Sequence, residues 1–289
     1  SSYIDELTDK ELIELQISEL TGDINRASNY EAEIFYCGTL PFENAYDILS
    51  KNLPLVANER PSVSPQDKPL APVAENTIYF LPNSDAEQAQ IFLYLPMDKY
   101  DKKDDVLRDA FDQYFSGGFS GLMMNEIREK RSMAYYAGTY IMTPSLPGNQ
   151  TYMYGHIGTQ NDKVNDAMDV FMGLLTDMPK NPERIDNIKS YLRQEALTSH
   201  PDFRDKAQYL KIFERQGYKG DPAQENLPKI DALTFDDIVK FYEQSIKGKP
   251  YCIGIIGNPK DIDTDKLSKY GKVVKLSERK LFNTKDTMF

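Results

Sequence analysis

The sequence predicts an α+β fold, a two-layer domain in which a mostly antiparallel sheet is covered by helices. Three observations predict it. Two short runs, "NTIYFLP" (76–82) and "QIFLYLP" (90–96), are rich in aromatic and β-branched residues and bounded by turn formers, as strands are. Amphipathic helical stripes then fill residues 162–216, and a strand-like run, "PYCIGIIGNP", returns near the end. Strands first, helices after and one strand returning is the order of a sheet with helices laid on one face. With 289 residues, 40% of them hydrophobic, the chain can bury a sizeable core, and its length reaches the limit for a single one, so two structural units are expected.

Residues 4–49 open with Ile-Asp-Glu-Leu-Thr, continue as an amphipathic helix with Thr8 as its N-cap, and pass through the strand-like "EAEIFYCG" and a polar turn to "NAYDILSKNL". The stretch "NERPSVSPQDKPLAPVAEN" carries Pro61, Pro65, Pro69 and Pro72, which resist helix and central strand, and reads as an extended linker. After the first two strands, "DDVLRDAFDQYF" places Val106, Ala110, Phe111, Tyr114 and Phe115 near one helical face. "SGGFSG" breaks that helix, and a second one is expected from near Leu122 to about Arg131. "YYAGTYIM" and "TYMYGHIGT" form a hairpin-like pair with Pro and Gly in the connection. In "DKVNDAMDVFMGLLTDM", Val164, Met168, Phe171, Leu175 and Met178 recur at helical spacing, so these methionines belong to the core rather than to a cofactor site.

The opening pattern returns. Ile230-Asp-Ala-Leu-Thr234 lies 226 residues after Ile4, with Thr234 as an N-cap and acidic residues in the first turn where they suit the helix dipole. That offset is the size of a domain, far too long for a solenoid repeat. The expected organisation is therefore a closing part of a preceding homologous domain at 1–57, a Pro-rich linker at 58–75, and a complete domain at 76–289.

Composition excludes several function classes. The 34 Lys+Arg against 45 Asp+Glu give a formal charge of −11, which disfavours a phosphate backbone and offers no basic stripe to an anionic membrane, so no nucleic-acid partner is expected. No stretch approaches the roughly 20 apolar residues that span a bilayer, and the N-terminus shows no basic region followed by an apolar core. The chain reads as soluble, cytoplasmic or, with a leader removed, periplasmic. Cys37 and Cys252 sit in apolar runs and read as small buried thiols rather than a disulfide. His156 and His200, the only histidines, each lack a second histidine three or four residues away, so no metal site is expected in this chain. No Gly-x-Ser-x-Gly elbow is present, neither cysteine has a neighbouring histidine, and "SGGFSG" lacks the Lys and Ser/Thr of a phosphate loop.

What remains is "NEIREKRSMAYYAG" (125–138). On an α-helix seven residues advance nearly two turns, which would put Arg128 and Tyr135 on one face about 10.5 Å apart. Ser132, Ala134 and Gly138 end the helix before or near Tyr135, and the chain can then bring phenol and guanidinium closer. A fixed cation beside a phenol donor suits a peptide carbonyl gaining negative charge. The residues alone leave a second reading open: an exposed, salt-bridged helix followed by a core tyrosine.

The run "SGGFSGLMMNEIREKRSMAYYAGTY", the hairpin, "GHIGTQNDKVNDAMDVFMGLL" and the later Leu-Thr-initiated helix resemble the pitrilysin (insulin-degrading enzyme) family of zinc metallopeptidases, which also takes in the mitochondrial processing peptidase and complex III core proteins. The likeness covers residues 76–289, with 4–57 fitting the end of a preceding domain. The catalytic half of that family carries His-x-x-Glu-His, and this chain has none; it matches the zinc-free half, with Arg128 and Tyr135 at the family's Arg-x₆-Tyr spacing. The resemblance implies that Tyr135 donates to the substrate carbonyl or oxyanion and that Arg128 orients it, with Arg131 and Tyr136 as neighbours. It implies no cofactor in this chain and zinc in an N-terminal half or partner subunit. The substrate would be an extended peptide, and the chain would be inactive alone. The alternatives of the same fold are a non-catalytic scaffold and a subunit that binds peptides by adding a strand to an exposed sheet edge.

Overall fold

The computed structural model describes residues 7, 9–27, 30, 32–53, 70–144 and 146–277. Contacts cluster into two units: residues 1–67 with 201–211, and residues 68–200 with 212–289. The expected cap Thr8 and residues 58–69 of the expected linker lie outside the described residues.

The first unit contains helices α1 (Asp9–Glu14), α2 (Ile17–Ala27) and α3 (Phe42–Asn52), so the amphipathic run after Thr8 is two helices broken at Leu15 and Gln16. "EAEIFYCG" was expected to be a strand, but its described residues, 32–38, form none. A strand needs a hydrogen-bonded neighbour, and a lone extended segment in water is not stable. For the same reason Cys37 is exposed rather than buried; Cys252 is half-buried, and both thiols are free.

The second unit is built on a six-stranded sheet. Its strands are β1 (Thr77–Pro82), β2 (Gln88–Lys99), β3 (Ala134–Met142), β4 (Gln150–Gln160), β5 (Cys252–Gly257) and β6 (Lys272–Lys275), in the order β3-β4-β2-β5-β1-β6. β4 pairs antiparallel with both β3 and β2, and β2 antiparallel with β5, whereas β1 runs parallel to β5 and β6. The returning strand β5 thus enters the middle of the sheet, between β2 and β1.

Period-two alternation along β2 buries Ala89, Ile91, Leu93, Leu95 and Met97 on one face. Against that layer pack α4 (Asp105–Ser116), α5 (Val164–Thr176), α6 (Ile185–Thr198), α8 (Pro222–Ala232) and α9 (Phe235–Ser245); α7 (Lys206–Arg215) lies between α6 and α8 in sequence. α4 presents Val106, Ala110, Phe111, Tyr114 and Phe115, the stripe expected from sequence, to β3 and α9. Met168, Met172 and Met178 are core residues. At the start of α9, Thr234 and Asp237 form a reciprocal capping box that satisfies two backbone N–H groups. α10 (Thr264–Leu267) leads into β6. The opposite sheet face carries half-buried Phe92, Tyr94, Tyr152, Tyr154 and His156.

Candidate functional site

The second expected helix departs from α geometry where the candidate pair begins. Residues Met124–Glu129 are π-helical, closed by Lys130 N–H donating to the Asn125 carbonyl at 3.0 Å. The wider turn ends abruptly: Ser132 N–H donates to the Arg128 carbonyl and Met133 N–H to the Ile127 carbonyl, with Ser132 in the left-handed region at φ 51°. β3 then starts at Ala134 with a β-bulge. Ala134 faces Thr159 and Tyr136 faces Gly158, leaving Tyr135 as the extra residue. A bulge re-aims a side chain out of the sheet's alternation, and Tyr135 is 77% exposed while its neighbour Ala134 is buried.

The π turn and the bulge together bring the two side chains close. The Arg128 guanidinium carbon lies 5.8 Å from the centre of the Tyr135 ring and 5.7 Å from that of Phe119, within cation–π range of both. Phe119 sits in the "SGGFSG" break and is 71% exposed. The sequence treated that break as punctuation only; the signal it carried was a large aromatic side chain inside a glycine-rich turn, where none is needed for the turn itself.

Neighbouring groups are differently engaged. Arg131 donates to both the carbonyl and the carboxylate of Glu126, Lys130 pairs with the other oxygen of that carboxylate, and these hydrogen bonds hold the Glu126 carboxyl below its ordinary pKa. Tyr136 shares a hydrogen bond with Tyr140 at 2.9 Å and packs on His156; burial, then the bond to Tyr140, push its phenol up to about 12. By contrast, beyond its two rings the Arg128 guanidinium has one long ion-pair contact among the described residues, to Glu129 at 3.7 Å, and the Tyr135 hydroxyl makes no hydrogen bond among them.

His156 accepts or donates through Nε2 to Gln90 at 2.6 Å and stacks on Phe92, and burial lowers its pKa. His200 lies just beyond α6 and is exposed. Among the described residues no three His, Cys, Asp or Glu side chains are grouped so as to hold a metal ion. The residues present therefore do not fit a zinc site, and no chemical step through zinc is assigned to them. Among the same residues no helix is long and apolar enough to cross a membrane.

A cavity of about 530 Å³ opens elsewhere in the second unit, on the helix side of β3, and Asp109, Asp112, Tyr140, Leu192, Glu195 and Asp221 are among its lining residues. Neither Arg128 nor Tyr135 lines it. At its wall α4 closes the outer edge of β3: Ser116 Oγ accepts from Thr139 N–H and Asp112 Oδ2 from Ile141 N–H. Those two groups are what an incoming strand would need, so strand addition is blocked at this stretch of the edge.

Comparison with known proteins places these features in context. Residues 27–192 match the family model described as the peptidase M16 inactive domain. No curated protein matches. Among solved structures, the peptidase M16 inactive domain from Pseudomonas fluorescens is 17% identical with a TM-score of 0.57 over 76% of this chain and 51% of its own. The periplasmic protease PqqL from Escherichia coli is 14% identical with a TM-score of 0.53, over 76% of this chain and 24% of its own. A mutant of the ferredoxin protease FusC, solved in complex with Arabidopsis ferredoxin, is 13% identical with a TM-score of 0.61, over 88% of this chain and 28% of its own. The chain thus spans about half of the first of these structures and less than a third of the other two, and identities this low speak for a shared fold.

Proposed function

Because the chain belongs to the peptidase M16 inactive-domain family, matched over 27–192, we propose that it is the zinc-free, substrate-binding half of a zinc metalloendopeptidase that cleaves extended peptides. Zinc and its ligands belong to an N-terminal half or partner subunit. The observation that carries this reading is the placement of Arg128 and Tyr135: their side chains lie close together, Tyr135 exposed and Arg128 half-buried, and make no hydrogen bond among the described residues, while those of Arg131 and Tyr136 are engaged. An unengaged phenol O–H beside a fixed guanidinium is a pre-organised donor for a peptide carbonyl oxygen as it becomes an oxyanion. Tyr135 donates to that oxygen, and Arg128, whose planar fork offers several N–H donors, orients the peptide.

The same reading takes residues 1–57 as the closing part of a preceding homologous domain. The repeat supports it. In the second copy Ile238 and Val239 are buried in the core, whereas their counterparts 226 residues earlier, Leu12 and Ile13, are 53% and 85% exposed. Equivalent positions of one pattern, buried in one copy and bare in the other, indicate a missing partner layer.

Reconstitution tests the proposal. Alone, the chain is expected to leave a quenched fluorescent peptide intact; combined with the zinc-bearing half it is expected to cleave it, and a chelator to stop the reaction. Hydrolysis by the chain alone, or none by associated, zinc-loaded halves, would favour a different role, the latter a scaffold.

A further inference from the structure

Phe119 has a placement that the family reading does not use. A phenylalanine held 71% exposed forgoes the burial its ring favours, and here the loop that presents it is built with care. Gly118 adopts φ 54°, a Cβ at Gly117 would lie 2.3 Å from the Gln113 carbonyl oxygen, and one at Gly121 would lie 2.6 Å from the Ser116 backbone. The loop is tied down on both sides: Ser120 Oγ donates to the Gly117 carbonyl, Arg184 donates to the Ser120 carbonyl, and Ser116 Oγ bonds Thr139. A break between helices needs none of this. The outcome is two exposed rings, Phe119 and Tyr135, each within cation–π range of the half-buried Arg128 guanidinium.

We propose that Phe119 is a specificity-determining residue: it forms the apolar wall that receives the side chain next to the peptide carbonyl held by Arg128 and Tyr135, favouring an aromatic or large aliphatic side chain over a small or basic one. The preference follows from the neighbours. An apolar ring contributes contact area only to an apolar partner, and Arg128 repels a Lys or Arg placed beside it. This inference rests on the peptide-binding reading above and deepens it.

The test is fluorescence anisotropy of the full chain with labelled peptides that differ at one position, Phe, Leu, Gly or Lys. Wild type is expected to prefer Phe and Leu over Gly by about 10-fold or more, the size of discrimination an apolar pocket gives. Phe119→Ala is expected to lose that preference while leaving the affinity for the Gly peptide unchanged, and Phe119→Leu to keep most of it. Tyr135→Phe should weaken every peptide to a similar degree without altering the order. If Phe119→Ala weakens all four peptides equally, the ring merely props Arg128 and the proposal is wrong; an unchanged preference overturns it as well. If wild type binds no peptide, the substrate-binding reading fails and this one with it. Normal turnover by a Tyr135→Phe assembly, with the Phe119 preference intact, would remove only the catalytic role of the pair.

Discussion

A guanidinium anchored to Glu126 through Nη1 is less free to turn toward a ligand, and that separates Arg131 from Arg128 more than three positions in sequence suggest. Arg131→Ala should therefore change kcat/KM of the proposed peptidase assembly by less than about 5-fold, since exposed ion pairs are worth about 1 kcal/mol or less. Arg128→Lys keeps the charge but loses the planar fork, and is expected to raise KM more than it lowers kcat. Equal effects of the two substitutions would remove the distinction. Asp112 offers a stability test at the same scale. Its Oδ1 is buried without a hydrogen-bond partner among the described residues, and burial, with Asp109 adding to it, pushes its carboxyl up to about 7 despite the Ile141 N–H. The folded state thus holds the proton more tightly than the unfolded chain, with its ordinary value of 3.8, does. That contribution favours folding below about pH 4 and is lost as pH rises through 7. Asp112→Asn retains an acceptor for Ile141, so Tm should rise at pH 8, by roughly 2–4 °C for each kcal/mol recovered, and stay unchanged at pH 4. An equal shift at both pH values would assign the effect to packing.

At the scale of elements, the site is made by two irregularities in succession, a π turn and a β-bulge. Periodicity found the flanking helix α4 and strand β3, because their apolar positions recur every 3.6 and every 2 residues. It could not find the π turn, whose side chains keep a helical look in sequence, nor the bulge, which shows only when β3 is set against β4. The closeness of the Arg128 and Tyr135 side chains was legible through the chain break expected between them; that of Phe119 was not, since no periodic pattern governs a three-residue loop. "EAEIFYCG" failed for a related reason: strand propensity was present but the pairing strand was not. Ser132 joins the two irregularities at φ 51°, a conformation that costs a non-glycine residue about 1–2 kcal/mol. Ser132→Gly is expected to leave stability unchanged or slightly raised, and Ser132→Val to lower it by more than about 1 kcal/mol, both by urea denaturation. A neutral Ser132→Val would show that the turn does not depend on this backbone state.

For the molecule as a whole, the second unit buries its apolar faces, whereas the described residues of the first leave many apolar side chains exposed. Ile17, Leu20 and Ile24 form a stripe along α2, and Phe42 and Tyr46 stack on α3, all exposed. Apolar surface of this kind marks an interface. The isolated chain should therefore bind a hydrophobic dye and self-associate, and Ile17→Lys with Ile24→Lys should reduce both. If the doubly substituted chain behaves like wild type, that stripe is not an interface. The net charge of −11 was informative at this scale alone, by arguing against a nucleic-acid partner, because formal charge speaks to association rather than to fold.

The most direct measurement is the turnover of a quenched peptide by this chain combined with its zinc-bearing half, wild type against Tyr135→Phe, with zinc content and association of the halves measured in parallel. Removing one oxyanion donor should lower kcat by at least ~10²-fold with the zinc retained and the halves still bound. Equal turnover by the two proteins would contradict the assignment and make the Arg128–Tyr135 pair a structural feature of the fold.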